Sequence, residues 1–128
     1  MKEEYLYQDL TEKIIGIAME VHRTLGPGFL EAVYEEALIY ELEKVNFTCE
    51  RQKEFVIRYK DIVLKKKLRA DLVVDNKIII ENKAIGELAS IDEVQLVSYL
   101  KASGLKVGLI FNFGNKSLEF KRRVLTLP

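Results

Sequence analysis

The segment from Arg69 to Lys83 gathers the residue types that handle phosphates and metal ions. Asp71 interrupts an otherwise apolar stretch, Ala70-Asp71-Leu72-Val73-Val74. A second apolar run, Ile78-Ile79-Ile80, ends in Glu81-Asn82-Lys83. Side chains of a strand alternate between faces, so Glu81 and Lys83 share one face and Asn82 points to the other. Two carboxylates and an ammonium at strand ends are the parts of an oxygen-ligated Mg²⁺ site. Such an ion polarises a phosphodiester and activates water, and Lys83 orients that water or neutralises developing charge. Register decides whether the parts meet. A three-residue turn at 75–77 sets Val74 opposite Ile78 and Asp71 opposite Glu81, on one face. A two-residue turn at 75–76 pairs Asp71 with Ile80 and sends Glu81 to the other face. The competing reading of Glu81 and Lys83 is a same-face ion pair at a strand end, because an Asp followed by Glu-x-Lys is a short pattern.

The elements that must position these residues are legible from periodicity. Leu10, Ile14, Ile17, Ala18, Val21 and Leu25 recur at helical spacing and predict a first helix from about Leu10 to Thr24, opened by a capping box at Asp9 and Glu12. Gly26-Pro27-Gly28 ends it. Leu30, Val33, Tyr34, Ala37, Leu38, Leu42 and Val45 form the apolar stripe of a second helix, with Glu35, Glu36, Glu43 and Lys44 assigned to its other face and Asn46 as its cap. The period then changes to two. Phe55, Ile57 and Tyr59 alternate with charged residues, Lys60-Asp61 turns the chain, and a strand runs on from Ile62 through Lys65-Lys66-Lys67 to Val74. Ile78-Ile79-Ile80 is apolar on both faces and belongs at the centre of a sheet. A capping box at Ser90 and Glu93 opens a third helix, which Gly104 ends. Val107 to Phe113 and Leu118 to Leu127 read as strands, the latter interrupted by Lys121-Arg122-Arg123. The order α-α-β-β-β-α-β-β, with a right-handed parallel crossover from Ile78 to Phe113, predicts an α/β or α+β domain: a mixed sheet flanked by helices.

Composition narrows the field. The 128 residues suit one domain, 1–128, and 48% hydrophobic with 31% charged residues is an ordinary globular balance. Twenty cationic residues balance twenty acidic ones, so any nucleic-acid contact must come from a local patch. One cysteine, Cys49, excludes an intrachain disulfide framework or Cys-based zinc cluster, and one histidine, His22, excludes a multi-His metal site. No apolar run approaches a membrane span, and Met1-Lys2-Glu3-Glu4-Tyr5 lacks the apolar region of a secretory signal, so a cytoplasmic protein is expected.

Asp71, Glu81-x-Lys83 and the following Gln95-x-x-x-Tyr99 resemble the PD-(D/E)XK nuclease superfamily, including the Gln-x-x-x-Tyr element of its RecB-like members. The stretch from Val21 to Tyr34, with Gly28, Glu31 and Tyr34 at its end, resembles more specifically the GxxExxY family. The likeness continues through Ala70-Asp71-Leu72, Glu81-Asn82-Lys83, Gln95 to Leu100, Gly108-Leu109-Ile110 and Asn112-Phe113-Gly114. It implies a restriction-endonuclease-like αβββαβ core with an extra N-terminal helix. It also implies Mg²⁺ or Mn²⁺ held by Asp71, Glu81, Glu31 and the backbone carbonyl of Asn82, with Lys83 as the catalytic lysine. Gln95 joins the catalytic set, and His22, Tyr34 and Tyr99 are supporting candidates. The expected activity is metal-dependent hydrolysis of DNA. The alternative is a catalytically silent nucleic-acid-binding or protein-interaction module on the same fold, or a subunit completed by a homodimer or larger complex. Asn82 departs from the family's pattern, which has an apolar residue between Glu and Lys. Its side chain, on a buried face, requires a partner.

Each supporting residue has a plainer reading. Glu31 in a first helical turn complements the macrodipole. Tyr34 is a core aromatic whose hydroxyl is expected to hold Glu31. His22 is a helix cap or a satisfied half-buried imidazole, or else a metal ligand from an early helix. Gln95 and Tyr99, at i and i+4, either orient Lys83, water or phosphate, or merely share a helix edge. Gly26-Pro27-Gly28 lacks the Gly-Lys-Ser/Thr of a phosphate loop and reads as a turn. Lys65-Lys66-Lys67-Arg69 and Lys121-Arg122-Arg123 either flank a DNA path or are solvated strand edges that discourage aggregation. Cys49 has no neighbouring base and is expected to be inert.

Overall fold

Residues 5–126 are described by the computed structural model. Its elements are α1 (Gln8–Leu25), α2 (Glu31–Lys44), β1 (Cys49–Tyr59), β2 (Ile62–Val74), β3 (Ile78–Lys83), α3 (Ser90–Ser103), β4 (Val107–Asn112) and β5 (Glu119–Val124). The strands lie in one sheet in the order β1-β2-β3-β4-β5. β3 and β4 are parallel, joined through α3, and every other neighbouring pair is antiparallel. This is the mixed sheet with flanking helices expected from the pattern of elements, an α+β fold with an additional N-terminal helix. Residues 1–4 and the predicted strand end at Leu127 lie outside the described residues.

The sheet is apolar on both faces because both are covered. On one, Leu72, Val74, Ile78, Ile80, Leu109 and Phe111 pack with Ile14, Ala18 and Val21 of α1 and with Tyr34, Leu38 and Leu42 of α2. On the other, Val73, Ile79 and Ile110 pack under Leu96, Tyr99 and Leu100 of α3. Ala70 and Leu72 stand two residues apart on β2 and should share a face. They belong to opposite cores instead. The strand therefore changes face around Asp71.

Two predicted caps shift. α1 begins after Tyr7, which sits at φ +56, and Glu12 pairs with the Gln8 side chain rather than closing a box with Asp9. At α3 the N-cap is Ala89, one residue before Ser90, and the Asp92 carboxylate accepts the Ala89 N–H at 2.8 Å. The stops fall as predicted. Gly26 and Gly104 cap their helices, and Asn46 follows α2 in the left-handed region. β5 is tied to α1 through Arg122, which donates to Thr11 Oγ1 at 3.1 Å and to the Leu6 carbonyl.

The loop after Lys83 is latched by a buried amide. Asn112 Oδ1 accepts the N–H of Ile85 and of Gly114, and Nδ2 donates to the Ile85 carbonyl and to Glu119. A Cβ at Gly114 would lie 2.2 Å from the Ile85 carbonyl oxygen, against backbone that the latch holds in place. At Gly108 the nearest atom, at 2.7 Å, is the tip of the Leu96 side chain, which can rotate. Gly114→Ala is expected to lower unfolding free energy by about 1–3 kcal/mol or more, and Gly108→Ala by less, in matched urea titrations.

Candidate functional site

The turn after β2 settles the register. Asp75 and Asn76 both adopt positive φ, and Lys77 N–H bonds back to the Val74 carbonyl. Val74 faces Ile78, Val73 faces Ile79 and Leu72 faces Ile80, so the three-residue turn is the one formed. Asp71 and Glu81 come next, and there the ladder gives way to side chains. Glu81 Oε2 accepts the Asp71 N–H at 2.8 Å, and Asp71 Oδ2 accepts the Asn82 N–H at 2.8 Å. Each carboxylate thus caps the other strand's backbone as β2 and β3 part. The second oxygen of each takes no hydrogen bond from the described chain.

β1 is irregular at the same level. Arg51 faces Leu72 and Lys53 faces Ala70, while Gln52, between them and opposite Asp71, sits at φ +49. A left-handed non-glycine residue inside a strand costs about 1–3 kcal/mol and needs surroundings that hold it. The Gln52 amide donates to both oxygens of Glu35, at 3.3 and 3.4 Å, and Arg51 reaches Glu35 Oε2 at 3.3 Å. Glu35, assigned above to the outer face of α2, is in fact 5% exposed. Burial and then the nearby Asp71 raise its carboxyl above the ordinary range, against the opposing effect of Gln52 and Arg51. Glu31, one turn earlier, is exposed on the rim of the same cleft, which Ala32, Glu35, Arg51, Gln52, Asp71 and Asn82 also line.

α3 closes the opposite side. Lys83 Nζ approaches Gln95 Oε1 at 3.4 Å. Tyr99 is nearly buried, and its hydroxyl is raised by burial and by the charges of Glu81 and Asp71. The Gln-x-x-x-Tyr pair therefore faces the carboxylates, with its Gln on the lysine.

The structure sends Tyr34 and His22 elsewhere. The Tyr34 hydroxyl donates to the Gly26 carbonyl at 2.6 Å and accepts the Phe29 N–H at 3.2 Å, while its ring stacks on Phe113 at 4.5 Å. It clamps the Gly26–Phe29 turn rather than Glu31, because its ring is buried against Phe113 whereas Glu31 stands exposed on the rim. His22 is buried, with Nε2 2.8 Å from the Asn115 carbonyl and its ring beside Phe113; it lines a separate depression with Met19, Arg23 and Lys116. Asn82 is 1% exposed and neither side-chain polar atom has a hydrogen-bond partner. The Cys49 thiol is pushed up to about 11, first by burial and then by Glu43 and Asp75, so it is not a ready nucleophile.

The PD-(D/E)XK nuclease superfamily model matches residues 8–124. The chain belongs to the PD-(D/E)XK nuclease superfamily. Its fold is similar to a solved structure described as "Crystal structure of SSO0001", with a TM-score of 0.60 and 22% identity. The match covers 76% of this chain and 50% of that one, so the chain spans about half of that structure's length. No curated protein matches the chain.

The superfamily's enzymes are in general dependent on divalent metal, and the donor set here is of the right class. It is all oxygen: one open oxygen on Asp71, one on Glu81, and the Asn82 carbonyl at the parting of the strands. Among the described residues no three His, Cys, Asp or Glu side chains stand close enough to share an ion. Electrostatics points the same way as the donor chemistry. Burial raises the Glu81 carboxyl to about 8, with Asp71 the next contributor, so without a cation the pair cannot carry two full charges at neutral pH.

Glu35, Arg51 and Gln52 were not foreseen as part of this site. The one available signal was spacing, since Glu31 and Glu35 at i and i+4 share a helix face.

The Glu81 shift fixes a pH dependence for the metal-free protein. Its folded value, about 8, lies above the ordinary 4.5, so between these limits the folded state keeps a proton that the unfolded chain releases. The stability this contributes is complete below about pH 4.5 and lost as pH rises through about 8. In chelator, unfolding free energy should therefore decline across this window by a few kcal/mol. Glu81→Gln should flatten the decline in urea titrations at pH 5, 6.5 and 8.5.

Proposed function

We propose that this chain is a Mg²⁺- or Mn²⁺-dependent deoxyribonuclease of the GxxExxY type, a single cytoplasmic domain over residues 1–128. The observation that carries the reading is the exchange at the parted strands. Asp71 and Glu81 each commit one oxygen to the opposite backbone and keep the other open, beside Lys83. Asp71, Glu81 and the Asn82 carbonyl would hold the ion, while Glu31, on the rim of the cleft, stands outside ion-sharing range of both carboxylates in this structure. When bound, the ion supplies Lewis acidity toward the phosphodiester and a lowered pKa for water. Lys83 supplies positive charge where charge develops on phosphorus-bound oxygen, and Gln95 holds its ammonium in place. Tyr34 fixes the Gly26–Phe29 turn and hence the entry to α2, which supports a role for Gly28, Glu31 and Tyr34 as one unit.

Two variants separate ligand from catalyst. Mg²⁺ or Mn²⁺ should raise the melting temperature of the wild type, because an ion that binds only the folded state stabilises it. Glu81→Gln should lose that response. Lys83→Ala should keep it yet cleave linear, circular and single-stranded DNA at least about a hundredfold more slowly. Wild-type protein that binds DNA but never cleaves it would instead be the silent module. Cleavage that survives chelator or Lys83→Ala would belong to another site.

A further inference from the structure

β1 and β2 outrun the rest of the sheet. β3 pairs with β2 only over Leu72 to Val74, so from Leu68 outward the two strands form a two-stranded arm. The arm ends in a two-residue turn at Lys60-Asp61, between the facing residues Tyr59 and Ile62. Because β2 runs antiparallel to β3, the arm leaves the sheet at the end that carries Glu81 and Lys83. Partway along, its register breaks. Val56 faces Lys67 and Arg58 faces Val63, so Leu64, Lys65 and Lys66 stand opposite Ile57 alone. A bulge of this kind bends and twists a ribbon and re-aims its side chains outward.

The composition of the arm is unlike the rest of the chain. Between Phe55 and Leu68 there are five cations and one anion, in a protein whose charges cancel. Lys65, Lys66 and Lys67 are all exposed. Among the described residues no carboxylate comes within ion-pair range of them or of Arg58. Here Val56, Tyr59, Ile62 and Val63 are exposed by 41–56%, an apolar surface set among the cations.

We propose that the β1–β2 arm is a duplex-DNA grip: it lies in the major groove and delivers the adjacent backbone to the carboxylates at its base. This rests on the nuclease reading for the identity of the site, but the grip itself requires no chemistry. A two-stranded ribbon fits the roughly 12 Å major groove of B-form DNA, whereas the deep, narrow major groove of A-form RNA excludes it. At about 3.3 Å per residue, the ten steps from Asp61 to Asp71 span about one turn of duplex, roughly 34 Å. Cations on both sides of the bulge then meet both phosphate walls, and Tyr59 and Ile62 supply apolar contact in the groove. A second copy of the chain is a poorer occupant, because two such arms repel each other.

The test is fluorescence anisotropy of a labelled 25-base-pair duplex in chelator, where no cleavage intervenes. It compares wild type, the arm variant Lys65→Gln/Lys66→Gln/Lys67→Gln, and a charge-matched control, Lys13→Gln/Lys44→Gln/Lys116→Gln. The arm variant should bind roughly tenfold or more weakly and lower the slope of log affinity against log salt by about 2–3, the value for three lost phosphate contacts. The control should stay near wild type, and circular dichroism should be alike for all three. Equal losses in arm and control variants would reduce the effect to net charge and overturn the proposal. So would equal or tighter binding of a single strand of the same length. A wild-type dimer that Tyr59→Ser/Ile62→Ser dissociates, with duplex affinity unchanged, would make the arm an interface between copies and overturn it too. The two readings fail separately. Arm-dependent binding without cleavage in Mg²⁺ or Mn²⁺ sinks the nuclease and keeps the grip. Cleavage of duplex DNA at wild-type rate by the arm variant does the reverse.

Discussion

At Asp71 and Glu81 the β2–β3 ladder exchanges backbone acceptors for carboxylates, and much of the surrounding structure follows from that exchange. An ordinary antiparallel pair satisfies its N–H groups with carbonyls. Here the N–H groups of Asp71 and Asn82 point at Glu81 and Asp71. Hydrogen bonds of this kind are worth about 0.5–1.5 kcal/mol to a neutral carboxyl and more to an ionised one, which compensates for the missing ladder contacts. They do not compensate for bringing two carboxylates together out of water, as the raised Glu81 carboxyl records. The site is therefore held by the rest of the fold. The isoleucine triplet of β3, covered on both faces, fixes one strand, and the 75–77 turn fixes the other in register.

The change of face at Asp71 explains why both helical layers contribute. A straight strand would show its polar groups to one layer only. Because Ala70 and Leu72 belong to opposite cores, the chain at Asp71 lies where the two faces meet. Glu35 and Glu31 can approach from α2 while Lys83, Gln95 and Tyr99 approach from the α3 side. The left-handed Gln52 opposite Asp71 is part of the same distortion. Its strain is offset by two bonds to a buried carboxylate that would otherwise lack neutral donors. Tyr34 and Asn112 steady the loops on either flank, one before α2 and one after β3.

What could be read from the sequence was what local pattern controls. The order of elements, the helix stops at Gly26 and Gly104 and the central position of β3 each rest on a period or on a residue type with one strong preference. Register was reducible to two alternatives, which the turn then decided. What was illegible depends on contacts distant in sequence. Glu35 lies in a run of mixed polarity, Tyr34-Glu35-Glu36-Ala37, and only Arg51 and Gln52, sixteen and seventeen residues on, reveal it as buried. The Tyr34 hydroxyl had two nearby partners, and the burial of its ring against Phe113, distant in sequence, chose the Gly26 carbonyl over the exposed Glu31. Asn82 is a different case. The sequence required a partner for its amide and the described chain supplies none, a polar cost in the strand that carries Glu81 and Lys83. Such local inconsistencies collect at functional sites.

Net charge was the least informative number, because cancellation over the whole chain concealed its distribution. Five of the twenty cations stand on the outer arm with a single acid, so the remainder of the protein is left acidic by four charges. Charges separated by more than about one Debye length, roughly 8 Å at physiological salt, act almost independently. A polyanion near the arm therefore meets a cationic surface, while the acidic cluster at the arm's base retains its own attraction for a divalent ion. Spreading the same lysines evenly would weaken the first field and neutralise the second. Keeping them together on the β1–β2 ribbon lets a chain of zero net charge attract a polyanion at one place and a cation at another.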